Sequence, residues 1–353
     1  MPAFVSEWNA CADRLTAMDD TPEGNNTTEG DDDARTDLDA GTDARTDDEP
    51  DPGTDDEPDL DLDADLAVDD DTPTGFRSGF VTLVGRPNVG KSTLLNQVLG
   101  QKVAIVSDKP QTTRHRIRGV LNRPDAQVVF VDTPGIHKPR TPLGERLNET
   151  ASATISDVDV VVFVLDATQP FGRGDQWVAD RMPPEAVVAV NKVDKARRDR
   201  VMTQLAAAGE LNLSAYFPVS ARTGEGVDAL VDHLVTRMPE GPRYFPAGMV
   251  TDVDEAFRVA ELVREQLLAV AREELPHSIA TRVTEWEWPY IRCEILVERP
   301  SQKGIVVGHD GEVLKKVGIA VRSQLPDGAY LDLHVRVDRN WQRRPRSLDR
   351  LGF

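Results

Sequence analysis

Gly85-Arg86-Pro87-Asn88-Val89-Gly90-Lys91-Ser92 has the spacing G-x-x-x-x-G-K-[ST], whose chemistry is the cradling of a polyphosphate. Its glycines let the backbone curl until N–H groups face phosphate oxygens at a helix N-terminus. Lys91 is then placed to reach the β- and γ-phosphates, and Ser92 to ligate Mg²⁺. Downstream, Asp132-Thr133-Pro134-Gly135 ends an apolar run. Its carboxylate can hold Mg²⁺ through water, and the Gly135 N–H can sense the γ-phosphate. Alone the tetrapeptide is an ordinary turn; beside the phosphate loop it is a second contact to the same ligand.

Asn191-Lys192-Val193-Asp194 follows another apolar run. Asp194 can accept two hydrogen bonds, from N1–H and the exocyclic amine of guanine. Adenine offers no such pair, and a buried carboxylate left unpaired would reject it by about 10⁴-fold or more. The nucleotide is therefore expected to be GTP or GDP. Ser220-Ala221, after the last strand of this part, can put a backbone N–H on the guanine carbonyl. The loop Gln111-Thr112-Thr113-Arg114-His115-Arg116 supplies threonine hydroxyls that can complete a Mg²⁺ shell once the γ-phosphate orders it. His115 reads as structural or RNA-facing.

These residues need strands and helices to place them. Apolar runs at 80–84, 116–121, 128–131, 158–165, 186–190 and 216–219 predict strands. Helical patterns at 91–99, 143–155, 175–181, 196–209 and 227–237 alternate with most of them. That alternation predicts an α/β domain with a mostly parallel sheet covered on both faces. A proline-rich break at 238–246 ends it. A smaller α+β part follows: an amphipathic helix over 255–274, strands at 279–286 and 290–297, a turn, a helix over 312–324 and a last strand at 329–337. Trp286, Trp288 and Tyr290 read as sheet packing, while Trp341 fits packing or base stacking equally.

Charge is distributed unevenly. Of 353 residues carrying a net −20, residues 1–74 hold 26 of the 61 acids and three bases, a net of −23. The rest is mildly basic at +3, and residues 299–353 reach +5, where an anionic partner would sit. The acidic stretch repeats DARTD and TDDEPD and has too little apolar surface to offset chain entropy, so it is expected to be disordered. No run reaches the length of a membrane span, the N-terminus lacks a secretory pattern, and two cysteines make no framework. These features predict a soluble cytoplasmic protein.

With GRPNVGKST, PQTTRHRIRG, DTPGIHKP, NKVD and SA in the first part, and VERPSQKGIVVGHDGEVLKKVG and VDRNWQRRPRSLDRLGF in the second, the chain resembles bacterial GTPases of the Era family over residues 77–353. The resemblance implies a phosphate-loop (Ras-like) GTPase domain followed by a type II KH RNA-binding domain. The expected division is a disordered extension at 1–75, a GTPase domain at 76–240, a linker at 241–250 and a KH domain with a basic C-terminal segment at 251–353. It implies that Lys91, Thr113 and Gly135 act in catalysis, and that Ser92, Thr113 (rather than Thr112) and Asp132 hold Mg²⁺. The nucleotide would also be lined by residues 85–90, Thr133, Pro134, Ile136, Asn191, Lys192, Val193, Asp194, Ser220 and Ala221. Asn88 would ligate K⁺, as in related GTPases with asparagine there.

The implied partners are the 3′ end of 16S ribosomal RNA and the 30S subunit, whose assembly a nucleotide-controlled switch would assist. A monomer, partly associated with the inner face of the membrane, is also implied. Gly308-His309-Asp310-Gly311 is a G-x-x-G loop, expected between a strand and a helix, of the kind that clamps about four nucleotides of backbone. Lys303, Lys315 and Lys316 would add charge, while Asp310 departs from the basic or neutral residue common in such loops. Ile136 stands where Ras-like enzymes have a water-orienting glutamine, so hydrolysis without a partner is expected to be slow. That substitution also leaves open a scaffold holding GTP as a structural ligand.

Overall fold

The computed structural model describes residues 73–109, 111–136, 141–270 and 275–353. The acidic extension read as disordered lies, over 1–72, outside the described residues. So do His137-Lys138-Pro139 of the DTPGIHKP stretch, and 271–274, where the first helix of the second part was expected to end.

Six strands form the first sheet: β1 (Arg77–Val84), β2 (Ile117–Asn122), β3 (Ala126–Asp132), β4 (Val160–Asp166), β5 (Val187–Asn191) and β6 (Ala215–Pro218). Their order is β2-β3-β1-β4-β5-β6, parallel except for the edge pair β2–β3. Helices α1 (Lys91–Leu99), α2 (Pro142–Ser156), α3 (Arg173–Ala179) and α4 (Arg198–Gly209) lie between them in the chain, and α5 (Val227–Arg237) follows β6. Every position of β3 and β4 is buried, as continuous apolar strands between two helical layers require. Registers Leu83↔Asp132 and Asp166↔Asn191 bring the C-terminal strand ends to one edge, where ligands of open α/β sheets bind.

Residues 241–250, expected as a linker, run against this sheet. Gly241 N donates to Phe76 O (3.0 Å), Val120 N to Val250 O (2.8 Å), and Gln127 Nε2 to Phe245 O (2.9 Å).

The second unit pairs β7 (Ala280–Glu287) antiparallel and β9 (Tyr330–Val337) parallel to the central β8 (Tyr290–Val297). Helix α6 (Glu255–Val270), the short α7 (Leu275–Ser278), α8 (Pro300–Val307) and α9 (Glu312–Arg322) accompany the sheet. The core joins Ile291, Cys293, Ile295 and Val297 to Val259, Val263, Val306 and Val317. Burial pushes the Cys293 thiol up to about 12, so it behaves as a small hydrophobe.

Helix α8 corrects the sequence expectation of a turn after β8, and places the G-x-x-G loop between two helices. Gly304 followed by Ile305, Val306 and Val307 is a weak helix sequence. Two contributions override it: Val306 is buried in the core, and the Gln302 Oε1 accepts from the N–H groups of Glu298 and Arg299, both at 2.9 Å, behind a proline at the first turn.

A further apolar cluster joins Leu143 and Leu147 of α2 to Ala280, Leu296, Leu348 of α10 (Pro345–Arg350) and Trp341. Trp341 is 0% exposed and its Nε1 donates to Ser278 O at 2.9 Å. Its role is packing; no face is left for a base. Trp286 and Trp288 pack half-buried against the second core. Trp341→Ala is expected to lower stability by about 3–5 kcal/mol, measured by chemical denaturation, with a smaller loss for Trp286→Ala.

Candidate functional site

Gly90 closes the phosphate loop in the left-handed region (φ 99°), and a Cβ there would meet Asn191 Nδ2 at 2.4 Å; only glycine fits. Helix α1 begins at the next residue, so its free N–H groups face the cleft. Lys91 is buried, its Nζ against the carbonyls of Gly85 (3.4 Å) and Arg86 (3.5 Å). Burial holds its ammonium below the usual lysine range, opposed by the charge of Asp132. Arg86 does not turn toward this space: it pairs with buried Asp175 of α3 at 2.7 Å, leaving its backbone to the loop. Val89 is buried, and Thr133 Oγ1 donates to Leu83 O (3.3 Å). A Cβ on Gly135 would come within 2.9 Å of Pro87 N, so the Asp132-Thr-Pro-Gly loop lies directly on the phosphate loop.

Three residues read as magnesium ligands meet. Ser92 Oγ donates to Asp132 Oδ2 at 2.6 Å, Thr113 Oγ1 donates to the same oxygen at 3.0 Å, and the two hydroxyls are 2.9 Å apart. Thr112 points elsewhere, its Oγ1 donating to Lys109 O at 2.7 Å. Asp132 is fully buried and its Oδ1 has no hydrogen-bond partner. Burial pushes this carboxyl up, against Lys91 and the donors Ser92, Thr113 and Thr133. A hard cation fits this set: two hydroxyls, one carboxylate with an unused oxygen, and room for phosphate and water ligands. Among the described residues no group of three His, Cys, Asp or Glu side chains could hold a metal.

At the base end, Asn191 is buried and cross-links three loops. Its Nδ2 donates to Val89 O and its Oδ1 accepts from Ala221 N, both at 2.9 Å. Lys192 Nζ bridges Asn88 O and Asp166 Oδ2, each at 2.6 Å. Asp166, which the sequence reading missed, sits at the end of β4 as Asp132 does at the end of β3, and that shared position was the available signal. Burial pushes its carboxyl up, but bonds from Lys192 and Thr168 outweigh this and hold it below the usual range. Val193 N donates to Val219 O (3.3 Å). Ser220 Oγ donates to Asp194 Oδ1 at 2.8 Å, fixing the carboxylate expected to read guanine. Asp194 is exposed, where the sequence argument for rejecting adenine took it as buried. Asn88, expected to ligate K⁺, has its Nδ2 donating to Asp108 O at 2.7 Å. Ile136 is buried in the core with Val84, Ala151 and Phe163 and cannot address water.

The loop carrying Thr113 also touches the C-terminal unit, through contacts its sequence gave no means to foresee. Arg114 is buried, its guanidinium donating to the carbonyls of Ile279 (2.7 Å), His277 (3.1 Å) and Pro276 (3.2 Å). Burial and the neighbouring Arg264 push it down to about 9, with Glu261 opposing. His115 Nε2 lies 3.0 Å from Leu351 O and its ring stacks on Phe353 at 4.5 Å; its role is structural.

In the G-x-x-G loop Gly308 and Gly311 both have φ 77°, and nothing lies within 4 Å of a Cβ built on Gly311. His309 and Asp310 project outward and pair with each other at 3.1 Å. Lys303 on α8 and Lys315 and Lys316 on α9 are exposed, Lys316 bonded to Glu312. Ile305 (60% exposed) and Ile319 (52%) on the same two helices offer apolar surface beside the loop. The sequence reading passed over both; their signal was apolar side chains off the buried helical stripe. In the C-terminal segment Asp338 binds Arg344 and Arg350, while Arg339, Arg343 and Arg346 are exposed.

Comparison with known proteins agrees with this geometry. The family described as 50S ribosome-binding GTPase matches residues 80–192, and the KH domain family matches residues 274–342. GTPase Era of Mycobacterium tuberculosis (strain H37Rv) is 46% identical over 299 residues, covering 79% of this chain and 100% of the relative. GTPase Era of Mycobacterium leprae is 48% identical over 297 residues, covering 79% and 99%. Among solved structures, an Aquifex aeolicus Era variant bound to GDP·AlF₄⁻ superposes with a TM-score of 0.74 at 36% identity, covering 78% of this chain and 99% of that one. Era in complex with MgGDPNP and nucleotides 1506–1542 of 16S ribosomal RNA gives the same TM-score, identity and coverage.

Replacing Asp194 by Asn puts an N–H₂ donor where guanine also donates. Asp194→Asn should weaken GTP binding by about 10³-fold or more and favour a purine with a carbonyl at that position, such as xanthosine triphosphate. Competition against a fluorescent guanine nucleotide measures both.

Proposed function

The chain belongs to the Era family of GTPases, and from that premise we propose that it couples GTP in the cleft to a grip on small-subunit ribosomal RNA near its 3′ end. It binds guanine nucleotide and hydrolyses GTP. The observation that carries the coupling is the reach of residues 111–116, which touch Asp132 through Thr113 and the C-terminal unit through Arg114 and His115.

In the cleft, the N–H groups of the phosphate loop and the Lys91 ammonium hold the β- and γ-phosphates. Ser92, Thr113 and Asp132 would hold Mg²⁺, which supplies charge neutralisation between those phosphates. With Ile136 in the core, the attacking water is placed by backbone groups of the loops carrying Thr113 and Gly135. Hydrolysis is then slow until a partner steadies those loops. K⁺ at the Asn88 carboxamide oxygen would add positive charge near the β–γ bridge.

In the C-terminal unit the G-x-x-G loop admits a phosphate backbone closely, Lys303 and Lys315 supply charge, and Ile305 and Ile319 offer surface for bases. Exposed Arg339, Arg343 and Arg346 extend the basic surface. The Era complex with nucleotides 1506–1542 of 16S ribosomal RNA supports this assignment. The reading is completed by assistance to 30S subunit assembly and by a cytoplasmic monomer partly at the inner membrane face. No helix among the described residues is long and apolar enough to cross a membrane.

Filter binding of an oligonucleotide copying the 3′ end of small-subunit rRNA should show tighter binding with a GTP analogue than with GDP; equal affinities would refute the switch. Lys303→Ala with Lys315→Ala should weaken binding and flatten its salt dependence, since each removes a phosphate contact. Turnover should be faster in KCl than in NaCl at matched ionic strength, and equal rates would exclude the K⁺ site.

A further inference from the structure

The residues flanking Thr113 are held from outside the GTPase domain. On one side, Arg264 of α6 donates to the Thr112 carbonyl. Arg264 is itself fixed by Glu261, which accepts from its Nε at 2.7 Å and from a terminal nitrogen at 2.6 Å. On the other side, Arg114 is held by three carbonyls of 276–279. Thr113 lies between these two anchors, its hydroxyl on Asp132.

This is a costly way to build an interface. Two buried arginines share one nearby carboxylate, and Arg264 Nη1 and Arg114 Nε have no hydrogen-bond partner. Buried charge left partly unsatisfied destabilises relative to apolar packing, and apolar packing is already supplied nearby by Leu143, Leu147, Leu296 and Trp341. What the arginines add is direction, since each ends on an atom of the metal-binding loop or anchors that loop by its own side chain.

We propose that Arg264 and Arg114 are positioning residues for GTP hydrolysis, through which the C-terminal domain holds the Thr113 hydroxyl at the metal site. This rests on the reading of Thr113 as a magnesium ligand. On this account the domain that grips RNA also supplies part of the order the catalytic loop needs, in the same chain and before any RNA binds. Loop order arriving from α6 lowers the entropy that the γ-phosphate must otherwise overcome to seat Thr113.

The test uses the full chain and a double-mutant cycle. Arg264→Lys keeps the buried charge beside Glu261 but lacks the forked second nitrogen that reaches Thr112, so the carboxylate is not orphaned; Arg114→Met is the second variant. Single-turnover hydrolysis should fall about tenfold and need more Mg²⁺ for half-saturation, with GDP affinity unchanged. In a Thr113→Ala background the same substitutions should change the rate less than about twofold, because their route is already cut. A wild-type rate and Mg²⁺ requirement in both arginine variants, or a full additional loss in the Thr113→Ala background, would overturn the proposal. If Thr113→Ala alone hydrolyses GTP normally, the magnesium reading falls and the positioning role with it. If it is impaired and the arginine variants are not, only the positioning role falls.

Discussion

Asp132 Oδ2 is the point on which three segments of chain converge. The hydroxyl that opens α1 and the hydroxyl from the loop before β2 both donate to this single oxygen at the end of β3. A carboxylate with no exposure is expensive to keep ionised without partners, so these donors and Lys91 are conditions of its being there at all. The sheet makes the meeting possible. Because β1 and β3 are parallel neighbours in register at Leu83↔Asp132, the phosphate loop and the acid leave adjacent strands at the same height. Permuting the strand order would separate them, whatever the local sequences were.

The same economy of placement serves the other end of the nucleotide. β4 and β5 end side by side at Asp166 and Asn191, and Asn191 uses both ends of its carboxamide to join the phosphate loop to the segment after β6. Between the two units, α2 turns Leu143 and Leu147 into a cluster completed by Trp341 and Leu348. The helix that follows the Asp132 loop therefore rests on the C-terminal unit, as the Thr113 loop does. Both segments thus touch residues of the C-terminal unit directly, at 276–279 and at Trp341 and Leu348.

Much of this was legible locally. The phosphate loop, the first strand and α1 are short-range patterns in which glycine, lysine and apolar spacing each have one physical use. Thr113 over Thr112 came from resemblance, and its hydroxyl does lie on Asp132 where that of Thr112 does not. Helix α8 was not legible because its own residues disfavour a helix and only burial of Val306 and the Gln302 cap decide it. Trp341 was ambiguous because nothing in its neighbourhood along the chain announces Ser278 or Leu143 as neighbours. Arg114, Arg264 and Glu261 look like ordinary surface charges in sequence; the buried interface that changes their meaning is a contact across 152 positions. Asp194 was expected buried and is exposed; burial of a carboxylate after an apolar strand depends on packing that its four-residue motif does not encode.

Lys192 spans from the Asn88 carbonyl to the Asp166 carboxylate, tying the loop that reads the base to the loop that holds the phosphates. Such a strut couples the two loops mechanically: a displacement of either is resisted by the other through one ammonium held at both ends.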